Sequence, residues 1–406
     1  MHYCFLSVKI RKEKSMKETG LARKILDCLK FFILLPIAKI KYGKRHIWLI
    51  TERGNDARDN GMHFFKYMRT KHPETEVYYV IDKSSSDLKN IEEYGNIVEN
   101  KSVEHFMLYC VADVIISTHL TLCSPGVTSF GGLRKKGIVH GKFVSLKHGF
   151  TKDMIGGLKY SSTHLDMLVS CAKPEYDYFV KYFGYPEGNV KYTGFARFDA
   201  LHENNETKRQ ILFMPTWRKY FWNYTDEQIE NSDFIKKWSG LMKDERLIKA
   251  LEEKGVQVVF YPHIAVQKFL PLFDAGSSNI VIADFDHYDV QQLLKESKVL
   301  VTDFSSVFAD FAYMRKPTVY FQFDTELYRE GHYSEGYYDY KTMAFGDVTE
   351  EIDETVDLLV QYIENDFEVR DEFKEEFYRR VDEFFPLNDN HNCDRIYEGI
   401  QETLKK

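Results

Sequence analysis

From residue 46 onward, short apolar runs alternate with segments whose apolar residues recur at helical spacing. Ten runs predict strands, and in chain order they are HIWLIT (46–51), VYYVID (77–82), DVIIST (113–118), KFVSLKHG (142–149), DMLVSC (166–171), ILFMPT (211–216), VQVVFYPH (256–263), NIVIADF (279–285), KVLVTDF (298–304) and PTVYFQFD (317–324). Runs that are apolar almost throughout are typical of parallel strands covered on both faces. With helical patterns between them, such as VEHFMLYCV (103–111), they predict an α/β protein.

The alternation falls into two blocks, because the polar stretch HENNETKRQ (202–210) interrupts it. We predict two doubly wound, Rossmann-like halves with a central cleft, over residues 46–203 and 204–385, and a C-terminal helix over 386–406. A length of 406 residues agrees with two domains. Ligands of such sheets bind beyond the carboxyl ends of the strands, so the polar residues found there are the candidates for chemistry.

Charge is distributed unevenly along the chain. Residues 1–45 contain twelve Lys or Arg and three acidic residues, which leaves 43 basic and 59 acidic residues for the remainder. A basic end on an acidic body predicts an anionic partner at that end. Nucleic acid is not favoured as this partner, because no basic groove interleaved with aromatic residues follows.

The basic end contains the segment LARKILDCLKFFILLPIAKIKYGKR (21–45). Its uncharged core, residues 31–38, is far shorter than the ~20 residues that span a bilayer. Lys30 and Lys39 flank this core, and no small-residue cleavage site of a signal peptide follows. Two interpretations remain: an amphipathic helix that lies in an anionic membrane interface, which we favour, or a buried packing helix with a basic outer face.

Several common sites are not supported by the sequence. The six cysteines form no CxxC pair and no His-spaced cluster, so neither a zinc site nor a disulfide framework is indicated. The chain also has no GxGxxG or Walker A motif, which removes the basis for a dinucleotide-binding or P-loop protein.

The run VLVTDFSS (299–306) ends in four polar residues, Thr302, Asp303, Ser305 and Ser306. If a helix begins near Ser305, its free amides and positive dipole end would suit a phosphate. The alternative is that Asp303 or Ser305 merely caps that helix. The stretch alone leaves both interpretations open.

Three more candidates follow predicted strands. His148 precedes a glycine, where an imidazole can act as general base, although a lone histidine is more often structural. His263 follows a proline, where it could donate a hydrogen bond to a phosphate oxygen. Arg218 in MPTWRKY would clamp a phosphate or carboxylate, or merely stack on Trp217 or Tyr220.

The order of the motifs points to a family. In chain order they are TERGNDARDNGMHFFKYM, LKHGFTKDM, TGFARFD, MPTWR, VTDFSSVFADFAYMRKPTVYFQFD and GYYDY. Over residues 46–385 they resemble the CDP-glycerol glycerophosphotransferase family of teichoic acid and capsule synthesis, and KHGFTKD is closer to a capsule-type subgroup. The resemblance implies a GT-B fold whose second half binds the nucleotide. It also implies transfer of a polyol phosphate from a CDP-activated polyol to a polyprenyl-diphosphate-linked acceptor, by a peripheral protein at the cytoplasmic face of the cell membrane.

By motif position, the resemblance assigns roles to individual residues. His148 matches the proposed base and His263 the second histidine, near the donor phosphates. The donor and phosphate-binding set is Thr302, Asp303, Ser305, Ser306, Arg218 and Asp310. The acceptor or cleft set is Arg53, Lys147, Gly149, Lys152 and Asp153. The loop YREGHYSEGYYDY (328–340) lies where the family closes over the cleft.

No cofactor is implied, since GT-B enzymes usually manage without an essential metal; the pair Asp303 and Asp310 leaves room for a supporting Mg²⁺. Two departures concern the polyol and the acceptor. Lys147 stands where wall-polymer members often have Trp, and Pro262-His263 reverses a common His-Pro order. Glycerol is the polyol we favour.

Two other functions remain open. One is a sugar-nucleotide glycosyltransferase on the same fold, which would release a nucleoside diphosphate and not CMP. The other is a non-catalytic membrane scaffold, for which His148 would be dispensable.

Overall fold

Two parallel sheets form the core of the computed structural model, which describes residues 2–120, 123–126, 133–134, 136–203, 206–331 and 334–406, with side chains from residue 22 onward. The first sheet has the order β3-β2-β1-β4-β5-β6-β7 and the second the order β10-β9-β8-β11-β12-β13. The strands of the first sheet are β1 (Ile47–Thr51), β2 (Glu76–Ile81), β3 (Ile97–Glu99), β4 (Val114–Ser117), β5 (Lys142–Ser145), β6 (Met167–Ser170) and β7 (Val190–Tyr192). Those of the second are β8 (Gln210–Met214), β9 (Gln257–Phe260), β10 (Ile280–Ile282), β11 (Val299–Thr302), β12 (Thr318–Phe321) and β13 (Val348–Thr349).

Helices cover the faces of both sheets. The α-helices are His2–Tyr42, Asn60–Lys71, Val103–Val111, Tyr160–Thr163, Lys173–Tyr182, Asp226–Glu230, Asp233–Lys243, Glu245–Lys254, Val290–Glu296, Phe308–Tyr313, Thr325–Gly331, Tyr340–Met343, Ile352–Glu364, Asp371–Phe384 and Asn392–Lys405. Short 3₁₀ helices are Ser86–Asn90, Glu92–Tyr94, Gly156–Leu158, Ala196–His202, Lys219–Asn223 and Ile264–Leu272.

The α/β prediction is confirmed, because all ten predicted runs contain a strand and every strand pairing is parallel. Every residue of β4, β6, β11 and β12 is buried, as continuous apolar runs predict. The three strands not predicted, β3, β7 and β13, are two or three residues long and lie at sheet edges. The boundary predicted at residue 203 stays a prediction, although one sheet lies on each side of it.

Both sheets reverse their strand order at the centre. The first reverses between β1 and β4, and the second between β8 and β11. In open α/β sheets such a switch point opens a crevice at the carboxyl ends of the two strands. The loops after these four strands, with the loops after β5 and β9, are therefore the place for a site.

The C-terminal helix Asn392–Lys405 returns to the first sheet. Its residues Ile396 and Ile400 are buried in the core. The backbone N–H of Asn392 donates to the Asp199 carboxylate at 2.8 Å. Asn392 also packs directly on the backbone of Gly194. A Cβ at Gly194, whose φ is +81°, would lie only 1.6 Å from the Asn392 Oδ1. The chain thus crosses back to its first half.

The N-terminal helix His2–Tyr42 is packed on one face and bare on the other. Phe31, Ala38 and Tyr42 are buried in a cluster with the helix Val103–Val111. On the opposite face the large apolar side chains are exposed, namely Ile25, Leu26, Leu29, Ile33, Ile37 and Ile40. The outer face is therefore apolar. The second interpretation of this segment, a buried packing helix, expected a basic outer face. Among the described helices, none is sufficiently long and apolar to cross a membrane.

Candidate active site

The loops of the two sheets meet in the cleft. The loop after β5 carries His148 and Gly149, and the turn after β11 carries Ser305 and Ser306. A Cβ added to Gly149 would lie only 2.7 Å from the Ser306 Oγ. The structure thus brings together the predicted base and the predicted phosphate turn.

This contact gives a test of cleft geometry. We expect Gly149→Ala to displace the Ser306 hydroxyl and to lower kcat/KM roughly tenfold for the polyol-phosphate transfer that the motifs imply, since small misplacements near reacting groups reduce rates strongly. Gly156→Ala is the matched control, because a Cβ there meets no atom within 4 Å. In the Gly149→Ala background, Ser306→Gly should restore part of the rate. A G149A protein as active as wild type would contradict this.

His148 lies beside the backbone carbonyl of Thr118. This carbonyl favours a ring N–H on its side, so we expect the other nitrogen of the neutral ring to keep its lone pair toward the cleft. The ring is open to the cleft but surrounded by protein, and desolvation together with the Arg53 charge lowers the pKa of His148 to about 4. It is therefore neutral at pH 7, as a general base must be.

His119 is a site residue that the sequence analysis missed. Its ring stacks on that of His148, with centroids 4.5 Å apart and planes 7° apart. Arg53 Nε donates to His119 Nε2 at 3.1 Å, and Thr118 Oγ1 lies 2.8 Å from His119 Nδ1. Arg53 from the predicted cleft set therefore lies beside the base. Desolvation lowers the pKa of His119 to about 3.

His263 has the opposite hydrogen-bonding role to His148. Its Nδ1 accepts from the Ala265 N–H at 3.2 Å, so in the neutral ring the proton is on Nε2, which is a donor. Desolvation, Arg53 and His148 lower its pKa to about 4. One histidine that accepts and one that donates are the pair that acid–base chemistry on a phosphate ester needs.

The serine turn differs from the prediction. The helix begins at Phe308, three residues later than predicted, and no side chain caps it. Ser305 Oγ accepts from the Val307 N–H at 3.4 Å, which makes a local turn. Ser305 and Ser306 are half-buried at the cleft, where their hydroxyls and the turn are available to a ligand.

Thr302, Asp303 and Arg218 lie beneath this turn and are fully buried. Thr302 donates its hydroxyl to the Met214 carbonyl at 2.6 Å, and Asp303 accepts from the Thr216 N–H at 2.9 Å. Asp303 therefore joins the β8 and β11 loops and caps no helix, which corrects the interpretation of Asp303 as a helix cap. Its place in the donor and phosphate-binding set stays a prediction.

Nearly the whole chain matches one known family. The model described as CDP-Glycerol:Poly(glycerophosphate) glycerophosphotransferase matches residues 34–402. The chain belongs to this glycerophosphotransferase family. The resemblance stated from the motifs is confirmed, and the match extends beyond both ends of the predicted range.

Individual relatives of the chain agree with this family assignment. The chain is 31% identical over 401 residues to the minor teichoic acid biosynthesis protein GgaB of Bacillus subtilis (strain 168), covering 96% of this chain and 43% of that protein. It is 24% identical over 415 residues to the teichoic acid poly(glycerol phosphate) polymerase of the same strain, covering 95% and 52%. The chain thus spans about half the length of these curated relatives.

The solved wall teichoic acid polymerase TagF is similar with a TM-score of 0.64 and 17% identity, over 95% of this chain and 98% of that one. A UDP-GlcNAc 2-epimerase from Neisseria meningitidis bound to UDP-GlcNAc gives a TM-score of 0.53 and 12% identity, over 88% and 100%. At these identities the likeness shows the fold, which is the predicted GT-B arrangement.

Arg218, predicted to bind phosphate, is paired with two carboxylates of the protein. Its Nε and Nη2 bind both oxygens of Asp324 at 2.7 and 2.8 Å, and its Nη1 lies 2.8 Å from Asp303 Oδ2. The guanidinium is fully buried between two carboxylates, which is why its charge is not available to a ligand.

Asp310 is likewise paired within the protein. Arg197 binds both of its oxygens, at 2.6 and 2.8 Å, and binds Asp59 Oδ1 at 2.9 Å. The same guanidinium donates to the His148 carbonyl at 3.4 Å. Arg197, from the motif TGFARFD, thus joins the base loop to the helix Phe308–Tyr313 and is a second residue that received no role from the sequence.

Lys147, predicted to be in the acceptor or cleft set, points away from the cleft. Its ammonium is buried against the Glu175 carboxylate and lies 4.5 Å from the centre of the Phe179 ring. Its φ of +58° turns the chain sharply just before His148. Where wall-polymer members often have Trp, this chain therefore has a buried ion pair.

Lys152 and Asp153 form a pair at 2.5 Å near the contact between the halves, and burial lowers the pKa of Lys152. The loop predicted to close the cleft lies against them, since the Met154 N–H donates to the Ser334 carbonyl at 3.0 Å. Residues 332–333 of this loop lie outside the described residues. Tyr337 packs on Tyr178 of the first half, with ring centroids 4.8 Å apart.

Proposed function

We propose that this protein transfers a polyol phosphate, with glycerol phosphate favoured, from a CDP-polyol to a hydroxyl of a lipid-linked acceptor in teichoic acid or capsule synthesis. The observation that carries the proposal is the opposed pair His148 and His263, one an acceptor and one a donor, beside the Ser305–Ser306 turn in a member of this family. The relatives support it, since they include polymerases and transferases of glycerol phosphate and ribitol phosphate. A TagF variant was also solved after soaking with CDPG.

The reaction assigns one task to each group. The acceptor hydroxyl oxygen attacks the β-phosphorus of the donor while His148 takes the hydroxyl proton. A new P–O bond forms, the bond to the CMP oxygen breaks, and CMP leaves with the electron pair. His263 Nε2 and the Ser305–Ser306 turn would donate hydrogen bonds to the phosphate oxygens as charge shifts to the leaving group.

The test is CMP release from CDP-glycerol and from CDP-ribitol, with and without a lipid-linked acceptor. We expect acceptor-dependent CMP release from one of the two donors. Release of UDP from a UDP-sugar, with no CMP from either donor, would instead establish the glycosyltransferase alternative. We propose that no resident cofactor is needed, and repeating the assay with EDTA and with added Mg²⁺ decides whether a metal supports the reaction.

We also propose that the exposed apolar face of the N-terminal helix lies in the cytoplasmic leaflet of the cell membrane. The stripe of Ile25, Leu29, Ile33 and Ile40 is exposed, and Ile40 is 89% exposed. Lysines and an arginine flank this stripe at Arg23, Lys30, Lys39 and Lys41. An apolar face bordered by cations fits an anionic bilayer interface, where the acceptor's lipid would be anchored.

Substitution of the stripe is the direct test of membrane binding. We expect the triple variant with Asn at Ile25, Ile33 and Ile40 to bind phosphatidylglycerol vesicles at least ~100-fold more weakly, because each isoleucine loses roughly 1.5–3 kcal/mol of burial. Deletion of residues 1–42 is less informative, since it removes Phe31 and the other buried residues of this helix from the core.

The matched control for the stripe replaces Val180 and Val348 with Asn, since both are exposed apolar residues on other elements. Unchanged vesicle binding by the stripe variant would contradict the proposal.

A further inference from the structure

Arg53 and His119 occupy the switch point of the first sheet. Arg53 follows β1 and His119 follows β4, the two neighbouring strands between which the strand order reverses. Arg53 Nε is held by His119 Nε2 at 3.1 Å and its Nη1 by Asp56 Oδ2 at 3.0 Å. In the part of the chain that the structure describes, the third nitrogen, Nη2, makes no hydrogen bond, and the side chain is 47% exposed. One edge of a fixed guanidinium is thus left for a ligand.

The charge of Arg53 acts on both reacting histidines. After desolvation it is the next largest cause of the lowered pKa of His148 and of His263. The guanidinium therefore lies within electrostatic reach of the acceptor nitrogen and the donor nitrogen of the cleft. The Arg53 charge disfavours protonation of both rings. An anion bound between the two rings would offset that effect.

We propose that Arg53 binds the phosphate that is transferred and that His119 is the positioning residue that presents its guanidinium, between His148 and His263. The inference rests on the proposed function and adds a substrate contact from the first half to it. Guanidinium groups bind phosphate oxygens through charge-assisted hydrogen bonds of fixed direction, so the orientation of the fork matters.

His119 acts through Arg53 and not as a base. Arginine is only a donor, so His119 Nε2 is the acceptor of that bond and its Nδ1 carries the proton toward Thr118 Oγ1. Both ring nitrogens are occupied, and neither is free to take the hydroxyl proton. The stacking of the ring on His148 is a second contact, which the experiment has to separate from the hydrogen bond.

Two substitutions make this separation. His119→Gln keeps an acceptor for Arg53 Nε and removes the ring, whereas His119→Phe keeps a ring and removes the acceptor. We expect Arg53→Gln to weaken CDP-glycerol binding and kcat/KM by roughly 10- to 100-fold. H119F should lose roughly tenfold in kcat/KM, and H119Q should remain within about threefold of wild type. His46→Phe is the matched control, because that side chain is 93% exposed.

The decisive measurement is the double variant. If His119 acts through Arg53, H119F has no further effect in the R53Q background, since residues that share one interaction are not additive. An equal loss in both backgrounds, or an H119Q loss as large as that of H119F, overturns the inference.

The affinity of wild type, both single variants and the double variant for CDP-glycerol and for CDP-ribitol is also measured by calorimetry. No acceptor is added, so this measurement does not depend on turnover. Wild type that binds CDP-glycerol or CDP-ribitol but releases CMP from neither overturns the proposed function, while the binding cycle with the donor that binds still decides on Arg53 and His119. Wild type that binds neither donor overturns both. Unfolding midpoints of all variants within a few degrees of wild type show that the fold is kept.

Discussion

Replacing His148 with alanine should lower kcat for CMP release by roughly 10²- to 10⁴-fold, the usual contribution of a general base. The ring nitrogen that does not contact the Thr118 carbonyl is the acceptor that the hydroxyl proton requires, and no neighbour replaces it, because both nitrogens of His119 are occupied. CDP-glycerol affinity should change little, since the imidazole acts on the acceptor. His46→Ala is the control, because His46 is almost fully exposed.

The pH dependence of kcat/KM tests independently whether His148 is the general base. As the proposed base, His148 would act as the neutral imidazole, and desolvation lowers its pKa from 6.5 to about 4. The acidic limb of kcat/KM should therefore lie near pH 4, with little loss between pH 8 and pH 6. Because the folded-state pKa is below the unfolded value, stability is also lost as pH falls from 6.5 toward 4, so each point needs a check of folding. An acidic limb near 6.5, or an active H148A, would contradict the role.

The fold followed from the sequence because its central strands are apolar on both faces. β1, β4, β5, β8 and β11 are buried throughout or nearly so, and only a covered parallel sheet accommodates such runs. The three edge strands that were not predicted, β3, β7 and β13, carry no such signal, since they are two or three residues long and partly exposed. Nor did the sequence reveal which face of the N-terminal helix is buried, because both faces are apolar and only the partner helix Val103–Val111 distinguishes them.

At the site, the positions were predictable but the partners were not. The rule that polar residues follow apolar strands found His148, His263 and the serine turn, and it would also have found His119 after DVIIST. This rule does not distinguish a side chain that faces the cleft from one whose charge is paired with another residue inside the protein. Arg218 and Asp310 each have partners more than a hundred residues away in sequence, at Asp324 and Arg197. Such pairs are set by the sheet topology, which a linear pattern does not contain.

Replacing Arg218 with leucine should lower the free energy of unfolding by roughly 3–5 kcal/mol, the usual effect of removing one partner from a buried ion pair. The Asp303 and Asp324 carboxylates would remain buried without a counter-charge, and burial already raises the pKa of Asp303. Arg218→Lys keeps the charge but not the two-pronged contact with Asp324, so an intermediate loss is expected. Arg209→Leu is the control, since its pair with Asp366 is exposed and should contribute at most ~1 kcal/mol.

The measurement is urea unfolding of the three variants, with calorimetric titration of CDP-glycerol into those that remain folded. The two roles considered for Arg218 predict opposite results. A buried support lowers stability and leaves the donor affinity of folded protein nearly unchanged, whereas a phosphate clamp lowers affinity and leaves stability unchanged. Weak donor binding by a fully stable R218K would therefore show that Arg218 binds the donor. The expected result makes Arg218 the support that fixes the β8 and β11 loops, so that the serine turn is in place before the donor arrives.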